Sequence, residues 1–155
     1  MKTKVLKEKE EKIDIAIWGA SLRTHLWLKF YESLNTTNSC SFKLFLCGHI
    51  RPNFDLPENF VHIYTDMNSP APCAEIARRH AMDSNSKYVM LCVDDVVMSP
   101  GLLDTLINEL ETYEGEMVVG PAFRPTLPHQ PCRAPLDEKG YINRNIPSNR
   151  GLGIV

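Results

Sequence analysis

Four apolar runs rich in β-branched and aromatic residues recur between Ile13 and Val93, and this rhythm restricts the chain to few folds. Ile13-Asp-Ile-Ala-Ile-Trp-Gly19 alternates β-branched residues and runs into Gly-Ala-Ser, the pattern of a strand entering a loop. From Thr24 to Leu34, Leu26, Phe30 and Leu34 fall at helical spacing with Trp27 and Tyr31 beside them. The polar stretch Asn35 to Ser41 breaks that helix before a second strand, Phe42 to Cys47, which ends at Gly48. Phe60 to Thr65 forms a third strand, entered through a loop holding Pro52 and Pro57. Pro72 opens a second helix, in which Ala74, Ala77 and Ala81 with Ile76 make a small-residue face suited to close packing on a sheet. Lys87 to Val93 is the fourth strand. Ser99 and Pro100 then supply an N-cap and a first-turn proline for a third helix carrying Leu102, Leu103, Leu106, Ile107 and Leu110. Gly115 stops this helix before a further strand, Glu116 to Gly120. Strands alternating with helices predict an α/β fold, a three-layer α/β/α sandwich around a mainly parallel sheet.

Composition narrows the function classes. A formal charge of −2 over 155 residues, with no basic stripe, gives no electrostatic case for nucleic acid. The lysines of residues 1–12 alternate with Glu8, Glu10 and Glu11, which makes that segment a polar tail. No apolar stretch approaches the ~20 residues of a membrane span, and the charged start lacks a signal-peptide core, so a soluble cytoplasmic protein is expected. Cys40, Cys47, Cys73, Cys92 and Cys132 are odd in number and widely spaced, favouring reduced thiols over disulfides or a zinc site. His25, His62 and His80 show no metal-ligand spacing. Residues 13–120 therefore form the α/β domain, and 121–155, with Pro121, Pro125, Pro128, Pro131, Pro135 and Pro147, form a loop-rich segment. Its apolar end, Leu152-Gly-Ile-Val155, suggests a piece of a longer chain.

The chemistry concentrates at Asp94 and Asp95, where the fourth strand ends. Two adjacent carboxylates beside a buried strand repel each other and lose hydration, so they call for a proton, a cation or water. They lie upstream of a helix with its own cap, near the carboxyl end of a strand, where open α/β sheets bind ligands. By itself the dipeptide is equally compatible with a solvated loop and with a metal site. Gly19-Ala-Ser21 is not a phosphate loop, because the Gly-Lys-Ser/Thr ending is missing, and there is no Gly-x-Gly-x-x-Gly fingerprint. Ser21 remains a candidate donor to a phosphate or base.

Taken in order, Ile15-Ala-Ile-Trp18, Arg23 with Leu28 and Ser33-Leu34, Ala74 to Arg79, and Val93-Asp-Asp-Val96 resemble the nucleotide-sugar half of family 2 glycosyltransferases of the GT-A fold. The resemblance covers roughly residues 13–120. It implies transfer of a sugar from a nucleoside diphosphate donor, UDP- or GDP-linked, assisted by Mn²⁺ or Mg²⁺, to an acceptor the resemblance does not identify. It further implies that Asp95 binds the metal, that Asp94 faces the nucleotide sugar, and that Arg23 and Arg78 match basic residues near the donor. Hard oxygen ligands suit these cations, which retain waters and take further ligands from phosphates.

The chain departs from the family pattern at three points. Val96 and Val97 follow where a third acid often stands. The second strand ends Cys47-Gly-His49 instead of on an acid, which makes His49 the candidate for stacking on or hydrogen-bonding the donor, while Asp66 after the third strand is available at the same sheet edge. The carboxylate base of an inverting enzyme belongs to the acceptor half. Asp137 and Glu138 precede Lys139-Gly140 in a turn-like setting and fit that role poorly. A non-catalytic nucleotide-sugar-binding or interaction domain is thus the alternative. A phosphotransfer receiver would place its acidic pair after the first strand, and a nucleotidyltransferase would need a Gly-rich, Arg-containing loop there.

Overall fold

The computed structural model describes residues 12–112. The expected polar tail up to residue 11, the strand at Glu116 to Gly120, the proline-rich segment, Cys132 and the Asp137-Glu138 pair lie outside the described residues. The chain divides into two compact units, Met1–Leu103 and Asp104–Val155.

The first unit holds β1 (Ile13–Ala20), a 3-10 turn at Thr24–Leu26, α1 (Trp27–Asn35), β2 (Phe42–Gly48), β3 (Phe60–Tyr64), α2 (Pro70–Asp83) and β4 (Ser86–Leu91). The boundary falls within α3 (Leu102–Thr112). The four strands form one sheet in the order β3-β2-β1-β4, with every pair parallel. The expected α/β class and parallel sheet are therefore present.

Strand periodicity decides which residues meet which helix. Ile15 and Ile17 of β1 and Phe42, Leu44 and Leu46 of β2 share a core with Trp27, Phe30 and Leu34 of α1. The alternate residues Ala16, Phe45 and Cys47 pack with Cys73, Ala77 and Ala81 of α2. Side chains two apart on a strand lie on one face, and those four apart on a helix lie on one stripe, so α1 and α2 cover opposite faces. Ala77 and Ala81 are fully buried as expected, while Cys73 takes the place of Ala74, which with Ile76 is only half-buried. β2 reaches β3 without a helix. Phe54 and Leu56 of that crossover pack on the α1-side core, with Phe54 edge-on to Trp27 at 6.4 Å between centroids.

Two helix starts differ from expectation. α2 begins at Pro70, so Pro72 sits inside its first turn, where missing N–H groups cost nothing because those donors have no helical acceptor. α3 begins at Leu102 because Gly101 takes φ +73°, a left-handed backbone that breaks helical continuity with Pro100. The Leu103 N–H is capped instead by Asn38 Oδ1 at 3.0 Å, and the Leu102 N–H by the Ser99 carbonyl at 3.1 Å.

The carboxyl ends of the strands are drawn together by glycine. A Cβ on Gly48 would collide with the Ser21 carbonyl oxygen, and one on Gly19 would collide with the Cys92 carbonyl oxygen. At the opposite edge, Asp14 Oδ2 accepts from the Ser41 N–H (2.8 Å) and the Ser41 hydroxyl (3.0 Å), which holds its carboxyl below the ordinary range.

Two outcomes follow. Gly48→Ala destabilises the fold by about 1–3 kcal/mol, the usual cost of an overpacked site, read as a lower urea midpoint; an unchanged midpoint would mean the close approach is not needed. Because the folded Asp14 pKa is depressed, its stabilisation is complete above about pH 4 and is lost as pH falls through the lowered folded value. Ser41→Ala keeps the backbone N–H, the larger cause, and removes the hydroxyl donor, so it should flatten the acid limb of a stability profile in part, and an identical acid limb in the variant would remove the hydroxyl from this assignment.

Candidate functional site

All four strands run the same way, so the loops after β1, β2, β3 and β4 emerge at one edge. Between β1 and β4 the chain order reverses, since β2 and β3 lie on one side of β1 and β4 on the other. Such a switch point leaves a crevice outside the strand ends because successive connections diverge there. Asp94 and Asp95 sit in the turn just past β4, three and four residues beyond Leu91, and face the loop that follows β1. The strand ends two residues before its apolar run does, its ladder to β1 closing with Cys92 N–H on the Trp18 carbonyl at 2.9 Å.

Asp94 is buried, with only 3% of its surface exposed. Its Oδ2 accepts three hydrogen bonds, from the backbone N–H of Leu22 (3.1 Å), that of Arg23 (3.0 Å) and Trp27 Nε1–H (3.1 Å). Asp95 is partly exposed and takes Arg23 Nη1 at 2.7 Å, and the same guanidinium nitrogen lies 3.7 Å from Asp94 Oδ1. The pair was expected to need a proton, a cation or water. The Arg23 guanidinium is such a cation, and three N–H donors add to it, because each donor offsets part of the hydration a buried carboxylate loses.

The other candidates divide into two groups. Ser21 is fully buried at this edge; its N–H donates to the Cys47 carbonyl at 2.9 Å, and its Oγ has no hydrogen-bond partner. His49 follows β2 directly, half-buried, with Nδ1 buried and likewise unpartnered. Asp66 lies exposed in the turn after β3, at the same edge but beyond two strand spacings, about 10 Å, from β1. Arg78 is not at this edge. It stands on α2 about 12 Å along the axis from the first turn, giving Nε (2.7 Å) and Nη2 (2.9 Å) to Glu75. Arg79 joins the same carboxylate at 2.9 Å, and the two arginines hold Glu75 down to about 2.

Three residues at this edge escaped the reading of the sequence. Trp27 is at once a fully buried core side chain and a donor to Asp94. Its signal was position, four residues after Arg23 on the helix that the loop feeds, but the aromatic stripe around it reads first as core. Arg51 and Tyr64, at the ends of β2 and β3, stack with the guanidinium carbon 4.1 Å from the ring centroid. Tyr64 is 49% exposed, unusual for a strand aromatic. Next to them His62 lies 5.1 Å from the Trp27 ring with Nε2 buried and unpartnered, and burial and Arg51 push its pKa down.

As to a divalent cation, among the described residues no group of three or more His, Cys, Asp and Glu side chains is placed to hold one. The Asp94-Asp95 pair offers Asp94 Oδ1 and the Asp95 carboxylate. One or two such oxygens fit Mn²⁺ or Mg²⁺, which draw their remaining ligands from water and phosphate. Cys47, Cys73 and Cys92 are buried thiols outside any disulfide, and desolvation with Cys73 nearby raises Cys47 to about 11, which leaves it protonated at neutral pH. A broad depression of about 760 Å³ lies at the opposite edge among Lys12, Ser41, Asn59, His80 and Asn85. Its lining carries both charges, with Lys12 and Lys43 beside Glu58 and Asp83.

No family model, no curated protein and no solved structure matches this chain. Among the described residues no helix is long and apolar enough to cross a membrane.

The two aspartates should separate in a stability assay. Asp94→Ala leaves three N–H donors without their acceptor and costs about 3 kcal/mol, whereas Asp95→Ala removes a partly exposed ion pair and costs at most about 1 kcal/mol. Equal losses in urea titrations would refute the division of labour.

Proposed function

We propose that this chain binds a nucleoside diphosphate sugar at the β1/β4 switch point, with GT-A architecture, and acts as a glycosyltransferase on an acceptor still to be identified. The observation that carries this reading is the position of Asp94 and Asp95 past β4 at the β1/β4 boundary, where the chain order reverses and open α/β sheets as a class take their ligands. Three further features support it. Ser21 Oγ, His49 Nδ1 and His62 Nε2 are buried and unpartnered in the carboxyl-terminal halves of β1, β2 and β3 or the loops they feed, and buried polar atoms left unpaired call for a ligand or bound water. The edge from β3 to β4 spans three strand spacings, about 14 Å, enough for an extended nucleotide. The Arg51-Tyr64 stack adds an aromatic shelf beside them.

In this reading Asp95 would hold Mn²⁺ or Mg²⁺, and the chemistry that ion would supply is electrostatic stabilisation of a diphosphate leaving group. Asp94 fixes the β1 loop and presents Oδ1 to the donor. Arg23 stands where it can meet an anionic group, Ser21 and His49 supply polar contacts to the nucleotide, and Asp66 lies at the far end of the same edge. Arg78, bound to Glu75 away from the edge, is left with a structural part.

The alternative, a domain that binds the donor without turning it over, gains from one observation. Asp94 is committed to three protein N–H groups, so the described acids include none both buried beside the crevice and free for proton transfer. Detection of sugar transfer or donor hydrolysis would reject that alternative.

Calorimetry with UDP- and GDP-sugars in Mn²⁺ tests the shared donor-binding step. The wild-type chain should bind one of them, and Asp95→Ala should weaken binding about tenfold or more, since loss of even an outer-shell partner costs 10- to 100-fold at metal sites. Equal binding by both proteins would remove Asp95 from the site.

A further inference from the structure

Arg23 makes two different kinds of contact at the switch point. Its backbone N–H donates to Asp94 Oδ2 at 3.0 Å and is part of the fold. Its side chain is 54% exposed and reaches over the acidic pair, with Nη1 2.7 Å from Asp95 Oδ2 and 3.7 Å from Asp94 Oδ1. Those are two of the three carboxylate oxygens left after Asp94 Oδ2 has been consumed by the protein, Asp95 Oδ1 being the third, and they are among those the proposed cation would use. A guanidinium hydrogen and a divalent cation compete for such a lone pair, and their positive charges repel across a few ångströms.

We propose that the Arg23 side chain is a displaceable counter-ion, resting on Asp95 in the ligand-free protein and giving way when a divalent cation binds there. The inference rests on the donor-binding reading above. Charge arithmetic gives the device its direction. Two carboxylates and one guanidinium sum to −1, so the resting site attracts a cation and repels a diphosphate. Once a dication neutralises the carboxylates, the released guanidinium is a surplus positive charge at the crevice mouth, with free N–H donors suited to phosphate oxygens. Cation and diphosphate thereby bind with positive coupling, and the coupling is reciprocal. The fold permits the exchange because, among the described residues, the side chain is anchored by its ion pairs alone, whereas the loop backbone stays pinned through Leu22, Arg23 and Trp27. Exposed ion pairs of this kind hold by at most about 1 kcal/mol, weak enough to be displaced.

The test is a Mn²⁺ titration of the full chain, followed by the electron paramagnetic resonance signal of free aquo-Mn²⁺, with and without UDP. Wild type, Arg23→Gln, Arg23→Lys and Asp95→Asn are compared after thermal melts show that each is folded. Arg23→Gln keeps the backbone donor but loses the charge, so without UDP it should bind Mn²⁺ about fivefold tighter, the equivalent of releasing one exposed ion pair. Arg23→Lys should stay near wild type. UDP should tighten Mn²⁺ binding by wild type and do so much less for Arg23→Gln. If Arg23→Gln binds Mn²⁺ no tighter than wild type while Asp95→Asn loses it, the counter-ion proposal falls and the metal site stands. If Asp95→Asn binds like wild type, or no protein binds Mn²⁺, the donor-site reading fails and takes the proposal with it.

Discussion

One carboxylate oxygen organises the carboxyl-terminal edge of this sheet. Asp94 Oδ2 gathers the N–H groups of Leu22 and Arg23 and the indole N–H of Trp27, which joins the turn after β4 to both the loop after β1 and the first turn of α1. β1 and β4 are neighbours whose connections leave in opposite directions, so hydrogen bonding along the ladder alone would not hold their exit loops together. The charge does so because each donor is otherwise an unpaired N–H in a partly buried place, and a carboxylate satisfies three at once. A second tether, Met98 N–H to Ser33 Oγ at 3.0 Å, holds the far end of the same turn against α1. Between these two anchors Asp95 stands outward, and its exposure is a consequence of how firmly its neighbour is held.

The acidic pair thus separates into a structural member and an available one. From the dipeptide alone, both carboxylates carry the same cost of charge and desolvation, and nothing in Val93-Asp-Asp-Val96 says which turns inward. The structure assigns that cost to Asp94 and meets it with protein donors, leaving Asp95 balanced by a single exposed guanidinium. The charge that needs compensation and the charge that can be lent to a ligand lie on adjacent residues.

Much of the fold was legible because hydrophobic periodicity is local. Ile15, Ile17, Phe30, Leu34, Leu44 and Ala77 fell on the core faces their spacing predicted, and the parallel sheet followed from alternation. What failed depended on partners far along the chain. The start of α3 was misplaced because Asn38 caps it, and the side-chain choice at Ser99-Pro100 could not reveal the left-handed Gly101. The resemblance groups Arg78 with the donor site, whereas in the fold it stands on α2 and gives its guanidinium to Glu75 one helical turn away, a local pairing the resemblance does not convey. Helical spacing puts Trp27 beside the apolar stripe, but an indole has both an apolar body and a polar tip, and only the tertiary structure shows where the tip goes.

The missing side chain at Gly48 has a mechanical meaning beyond packing. The Ser21 carbonyl fills the space a Cβ would take, and the Ser21 N–H is bonded to the adjoining Cys47 carbonyl, so the segments leaving β1 and β2 are seated in one another. Neither can rise from the sheet without lifting its neighbour. A molecule that presses on His49 therefore presses, through two rigid peptide planes, on the loop that Asp94 holds.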